Sequence, residues 1–234
     1  MDGLENILKL QIAYYGARAN EYDEWFLREG RYDRGEQHRK AWMADVAQVQ
    51  AALKQAKPGG RILELACGTG LWSQRLFLFS DDLTVVDASP EMLDLCRKRL
   101  GSDHVEFIQA DLFEWQPNKT YDFVFFGFWL SHVPLDRFSA FWKRVASALS
   151  PAGRVFFVDS LYTDSSTALD HKQIGRSGTV ERKLNDGRRF EIVKVFYEPA
   201  SLQEQILQLG WEGAVHSTAQ FFLYGHLWRA KTTS

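Results

Sequence analysis

Between Arg61 and Asp159 the chain lifts one short apolar run after another out of a polar background, with helical patterns between them. The runs are RILELA, LTVVDA, VEFIQA, YDFVFFGFW and RVFFVD. Near-continuous apolar strands need cover on both faces, and intervening helices supply the crossovers, so this stretch predicts a parallel sheet with helices on either side. SPEMLDLCRKRL opens one helix, with Ser89 as N-cap and Pro90 at the first helical position. Phe138, Phe141, Val145 and Leu149 mark the apolar face of another.

The flanks follow other patterns. Before Pro58-Gly59-Gly60 the spacing is helical, through Leu4, Ile7, Leu8, Ile12 and Tyr15 and again through Trp42, Val46, Val49 and Leu53, with Gly30 and Gly35 as breaks. After a polar stretch from Leu161, FEIVKVFY reads as a strand and AQFFLYGHLWRA as the closing one. SLQEQILQLG between them reads as a helix, with Ser201 and Glu204 as a capping box and a glycine stop. The expected class is α/β: a three-layer sandwich around a mostly parallel seven-stranded sheet whose last strand is antiparallel. Residues 1–58 are expected to form an N-terminal helical lid, and residues 59–234 the ligand-binding domain.

At 234 residues and 45 % hydrophobic composition the chain can bury a sizeable core, and its net charge of −2 creates no global field for nucleic acid or an acidic membrane. The longest apolar run, Phe123 to Leu130, is far short of the roughly 20 residues of a spanning helix. MDGLENILKL lacks the basic-then-apolar order of a secretion signal. The cysteines Cys67 and Cys96 form no CxxC, and the histidines show no metal spacing. The expectation is a cytoplasmic monomer or homodimer with no metal, membrane or nucleic-acid partner.

The first strand runs into Glu64-Leu65-Ala66-Cys67-Gly68-Thr69-Gly70. Two glycines flanking one residue permit a sharp turn and let a ligand approach the main chain. A dinucleotide fingerprint wants a third glycine where this chain has Ser73, which weakens an NAD-dependent oxidoreductase reading. Asp87 ends the second strand about 20 residues on, where an acid takes a ribose diol. Asp111 follows the third strand in IQADLFEW, at the same sheet edge. The order E-x-A-x-G-x-G, strand-end Asp, A-D-L resembles the class I S-adenosylmethionine-dependent methyltransferases over roughly Pro58 to Ser160. That resemblance implies a Rossmann-like fold, with S-adenosyl-L-methionine as cofactor and S-adenosyl-L-homocysteine as product. It implies that Glu64, Ala66, Gly68 and Gly70 surround the methionine part and that Asp87 holds the ribose. Ala88 and Met92 would lie near the adenine, Asp111 and Leu112 at its amino group, and Phe128 at the sulfonium.

FFGFWLSHVP, after the fourth strand, lacks the Asn/Asp-Pro-Pro-aromatic sequence of nucleic-acid amino methylases in this superfamily. The chain looks more like the small-molecule branch, similar to ubiquinone/menaquinone methyltransferases. AYYGARANEYDEWF resembles that branch's lid, which assigns Tyr14 to the cofactor and Tyr15, Tyr22 and Trp25, with Phe26, to the walls around cofactor and acceptor. His132 is the candidate general base, Asp159 reads as a cap, and His38 and His171 read as solvated loop residues. Lys194, inside an otherwise apolar run, and Tyr197 are expected to face the acceptor; the basic stretch 171–194, with Arg182 in it, reads either as a holder of a substrate carboxylate or phosphate or, more ordinarily, as a solvated hairpin face. The expected function is methyl transfer by in-line displacement to an oxygen, nitrogen or sulfur of a small aromatic or apolar molecule. An NAD-dependent oxidoreductase and a non-catalytic cofactor-binding module are the alternatives.

Overall fold

The computed structural model describes residues 3–80, 82–171 and 178–230. Helices α1 (Gly3–Arg18), α2 (Tyr22–Leu27) and α3 (Glu36–Gln55) precede the first strand. Strands β1 (Arg61–Leu65), β2 (Asp82–Asp87), β3 (Val105–Gln109), β4 (Tyr121–Gly127) and β5 (Leu149–Ser160) follow. Between them lie α4 (Ser73–Leu76), α5 (Pro90–Leu100) and α6 (Phe138–Ala148). An antiparallel hairpin, β6 (Thr179–Lys183) and β7 (Arg189–Val193), stands apart from the main sheet. Helix α7 (Pro199–Gln208), β8 (Trp211–Ser217) and β9 (Phe222–Arg229) complete the chain.

The main sheet has the order β3-β2-β1-β4-β5-β9-β8, so the chain starts in the middle and reverses direction across the sheet between β1 and β4. All pairs from β3 to β5 are parallel, and β9 is antiparallel to both its neighbours. Alternate strand residues feed different layers. Leu63, Val124, Phe126 and Phe157 pack under Phe141, Trp142 and Val145 of α6 and Leu202 and Ile206 of α7. Ile62, Phe123, Phe125 and Phe156 face Trp42, Val46, Val49 and Leu53 of α3 and Leu93 of α5. Ser89 caps α5, accepting from the Met92 N–H at 3.2 Å, as its sequence predicts.

Two expectations need correction. The run FEIVKVFY is a strand only in its first part and does not join the seven-stranded sheet: that part is β7 of the separate hairpin, which packs against α1. The sixth strand of the sheet is Trp211–Ser217, whose two bounding and interior glycines (Gly210, φ 78°; Gly213, φ 122°) and exposed edge position leave little apolar alternation to read. Helix α7 also begins earlier than its capping-box signature suggests, with Glu198 as N-cap and Pro199 in the first turn.

Candidate active site

The sharp turn after β1 is built from backbone that side chains rarely adopt. Ala66, Gly68 and Gly70 have φ of 56°, 54° and 87°, and Phe128, just beyond the adjacent β4, has φ 57°. A Cβ on Gly70 would lie 2.8 Å from Cys96 Sγ, so glycine there lets the turn seat on α5. Asp87 anchors the same turn: one carboxylate oxygen accepts from the Gly68 N–H and the other from the Ser89 N–H, each at 2.9 Å. Burial pushes the Asp87 carboxyl up, against the pull of those backbone donors. Glu64 is buried at the end of β1, one carboxylate oxygen has no partner, and burial raises its pKa well above the usual range.

Two cavities open at the carboxyl ends of the parallel strands, where open α/β sheets hold ligands. The first, about 670 Å³, is walled by Ala66, Gly68, Asp87, Ala88, Met92, Asp111, Leu112 and Phe128, eight of the residues assigned to the cofactor from sequence. Helix α1 roofs it with Leu8, Gln11, Ile12 and Tyr15. Gly70 and Glu64 stand behind this wall rather than in it, and Tyr14 faces the other cavity. The shape and donor set suit an adenosyl group: a carboxylate at a strand end for a diol, a flanking apolar slot of Ala88, Met92 and Leu112, and a glycine turn without a phosphate cradle.

The second cavity, about 580 Å³, shares Tyr15, Tyr22, Phe128 and His132 with the first. Trp25 and Lys194 also line it, whereas Phe26 and Tyr197 line neither cavity. Tyr197 is buried against Phe138. What sequence reasoning missed is Arg18 and the burial of the charge. Arg18 and Arg182 are buried here, 8 % and 7 % exposed, and no carboxylate lies within salt-bridge distance of either among the described residues. Arg18 instead lies over the Tyr22 ring at 4.9 Å and donates to the Tyr32 hydroxyl at 3.2 Å. Lys194 donates to Ser131 Oγ at 2.7 Å, with Asp159 at 3.9 Å, and burial lowers its pKa to about 8. Among the described residues no acidic side chain lines this cavity. A cue was present, since Tyr14, Tyr15, Arg18 and Tyr22 share a helical face at spacings of three and four.

His132 sits in the shared wall, 5 % exposed. Its Nδ1 lies 2.8 Å from the Val193 carbonyl oxygen, which can only accept, so Nδ1 carries the proton. Its Nε2 therefore accepts from the Tyr15 hydroxyl, 2.7 Å away. Burial, with Lys194 nearby, holds the imidazole pKa well below its ordinary value. Asp159 is wholly buried and accepts from the Ser131 N–H at 2.8 Å, ordering the His132 loop, while also facing Lys194. His171 differs from its expected solvated state: it is half-buried in the second cavity, its Nε2 accepts from the Lys183 N–H at 3.0 Å, and its pKa falls to about 4 through burial and nearby arginines. His38 lies on α3 against Phe221.

The N-terminal helices are tied to both cavities. Asp23 accepts from Thr69 Oγ1 of the glycine turn at 2.6 Å and pairs with Arg99 of α5. Trp25 Nε1 donates to the Ser166 carbonyl at 2.9 Å, and the buried Arg28 reaches that same oxygen at 3.1 Å. In the basic stretch Arg188 and Arg189 are exposed and pair with Asp186 and Glu181, so that of its described lysines and arginines only Arg182 and Lys194 line the cavity. Lys172 and Arg176 lie outside the described residues. Among those described, no three His, Cys, Asp or Glu side chains group to hold a metal ion, and no helix is long and apolar enough to cross a membrane.

Comparison with known proteins agrees with this geometry. A family model described as a methyltransferase domain matches residues 62–153. A solved structure described as the DhpI-SAH complex is 39 % identical with a TM-score of 0.79, covering 96 % of this chain and 97 % of that one. A second, described as the DhpI-SAM-HEP complex, is 40 % identical with a TM-score of 0.78, covering 95 % and 97 %. The ubiquinone biosynthesis O-methyltransferase of Xanthomonas campestris pv. campestris is 32 % identical over 123 residues, half of each chain. Malonyl-[acyl-carrier protein] O-methyltransferase 1 of Ilyobacter polytropus is 33 % identical over 86 residues, 36 % of this chain. The matches span 31 % and 50 % of the lengths of these two curated relatives. The chain belongs to the class I S-adenosylmethionine-dependent methyltransferases.

Proposed function

We propose that this chain transfers a methyl group from S-adenosylmethionine to an oxyanion of a small acidic molecule bound in the second cavity. The observation that carries the acceptor class is the pair Arg18 and Arg182, buried cations that among the described residues have no carboxylate partner and face a cavity with no acid in its lining. A buried charge without a counter-ion is costly, so a phosphoryl, phosphonyl or carboxyl group supplies what the fold withholds. Trp25, Phe128 and Phe196 leave an apolar flank for the rest of the acceptor. The related DhpI-SAM-HEP complex names a third component beside SAM. That accords with two adjoining cavities.

When bound, the cofactor would supply an electrophilic methyl on a sulfonium, so that an acceptor O–C bond forms as the C–S bond breaks and sulfur keeps the electron pair. The chain's task is placement. Asp87 would take the ribose hydroxyls with lone pairs not used by Gly68 and Ser89; Ala88, Met92, Asp111 and Leu112 would hold the adenine, and Ala66, Gly68 and Phe128 the methionine end. Glu64 and Gly70 would support the turn from behind. Tyr14, Tyr22, Trp25, Lys194 and the two arginines would orient the acceptor, with residues 1–58 as the lid over both cavities. An ionised acceptor brings no proton to the reacting oxygen. His132 then serves by holding its neighbours, not as the base expected from sequence.

The test is methyl transfer to panels of phosphate monoesters, phosphonates and carboxylates, against phenols, amines and thiols, followed by mass spectrometry. Acids should be the substrates. Arg18→Met and Arg182→Met should each raise the acceptor KM by roughly 10- to 100-fold, the worth of a charge-assisted hydrogen bond, with S-adenosylhomocysteine affinity kept. Turnover confined to neutral phenols or amines would refute the anionic acceptor.

A further inference from the structure

The hydrogen bonds around His132 have a fixed direction, and that direction decides what Tyr15 can do. The Val193 carbonyl takes the Nδ1 proton, Nε2 takes the Tyr15 proton, and the phenolic oxygen is left with lone pairs that no described donor occupies. Gln11 braces the arrangement from α1, its Nε2 donating to the His132 carbonyl at 3.3 Å and its Oε1 accepting from the Val193 N–H at 3.1 Å. Tyr15 and His132 both stand in the wall common to the two cavities, beside Phe128. A methyl group moving from a donor in the first cavity to an acceptor in the second must cross at this wall.

We propose that the Tyr15 hydroxyl oxygen, with its proton held by His132, accepts C–H···O contacts from the sulfonium methyl and is a catalytic residue, while His132 is the positioning residue that aims it. This rests on the cofactor reading given above. A methyl on a positive sulfur carries polarised C–H bonds, for which an oxygen lone pair is the matching acceptor. Were the Tyr15 proton free to point into the cavity, it would confront the cation with a positive dipole instead. Burial keeps both members in the required state, raising the phenol pKa and depressing the imidazole's. The same state makes the pair a poor proton acceptor, since Lys194, Arg182 and Arg18 all oppose a charge on His132.

The measurement is calorimetric affinity for S-adenosylmethionine and S-adenosylhomocysteine, which differ by this methyl and its charge, on wild type, Tyr15→Phe, His132→Ala and the double variant. Expected is a two- to fivefold fall in the preference for the sulfonium in each single variant, the range of about 0.5–1 kcal/mol for such a contact. The double variant should fall no further, because the two act as one unit. Equal weakening of both ligands, or an unchanged ratio, overturns the proposal while leaving the cofactor reading intact. Loss of all S-adenosylhomocysteine binding by wild type would instead overturn the cofactor reading itself. Should the variants fail to fold, ¹³C-methyl S-adenosylmethionine bound to wild type provides the readout: a downfield methyl proton shift on binding is expected, and its absence refutes the contact.

Discussion

Asp87 shows how much one side chain settles. It holds the Gly68 and Ser89 amides at once, so it shapes the turn and faces the first cavity in the same act. Asp87→Asn keeps one acceptor but loses the charge and must turn an NH₂ toward a backbone donor. S-adenosylhomocysteine affinity should fall roughly 10- to 100-fold by calorimetry, on the scale of a lost charge-assisted bond. Lys194 gives a pH signature. Its pKa near 8 means that raising the pH from 7 to 9 discharges it, so the acceptor KM should climb through that window while S-adenosylhomocysteine affinity stays level. In Lys194→Met the climb should vanish, with KM already high at pH 7. Asp87, Gly68 and the strand-end acids were legible in the sequence because they sit at fixed offsets from predicted strands. Arg18 was not: a lone arginine on a lid helix reads as solvated until the hairpin is seen to bury it.

Among the elements, α1 carries an unusual face. Its buried residues are Leu8, Gln11, Tyr14 and Arg18, so polar side chains occupy positions that normally hold core, and they meet β7 and the cavities rather than the sheet. Gly16 lets this helix approach α5, where a Cβ would stand 2.8 Å from a Glu91 carboxylate oxygen. Helix α3 makes a different attachment. One oxygen of the buried Asp45 accepts from Thr218 Oγ1 at 2.6 Å, Gln220 N at 3.0 Å and Phe221 N at 2.9 Å, fastening the helix to the β8–β9 turn. Asp45→Ala leaves the Gln220 and Phe221 N–H groups without their acceptor, while the Thr218 hydroxyl keeps the Phe222 carbonyl, and should cost about 3 kcal/mol in urea unfolding; Asp45→Asn should recover part of this. The strands of the central sheet were readable because both faces are buried and most of their interior residues are apolar, with few exceptions such as Glu64 and Thr84. Strand β8 was not, since its glycines and exposed edge leave little pattern to read, and although the hairpin turn at Asp186-Gly187 was legible, its packing against α1 was not.

For the whole molecule, the two cavities are closed by parts of the chain far apart in sequence: α1 and α2 from the start, the loop at 166–171 and the hairpin from the last third. A ligand that bridges them should therefore stabilise the entire fold. At a hundredfold excess over its Kd, S-adenosylhomocysteine adds about 2.7 kcal/mol, which for a chain of this size should raise Tm by about 5–10 °C. Hydrogen exchange should show the gain in α1 and α2 as well as in the strand-end loops. Protection confined to the loops would mean that the N-terminal helices do not close over the ligand.

The amino-acid sequence by itself determined the central sheet, the glycine turn and the line of acids at the strand ends. Each leaves a mark on near neighbours in the chain: near-continuous apolar runs, helix caps and a turn requiring positive φ. The tertiary structure alone decided the character of the second cavity, the direction of the Tyr15–His132 hydrogen bond and the pairing that makes β8 a strand. The first two depend on groups brought together across 100 residues or more, as Tyr15 and His132 are, and β8 depends on pairing with β9 rather than on any pattern of its own.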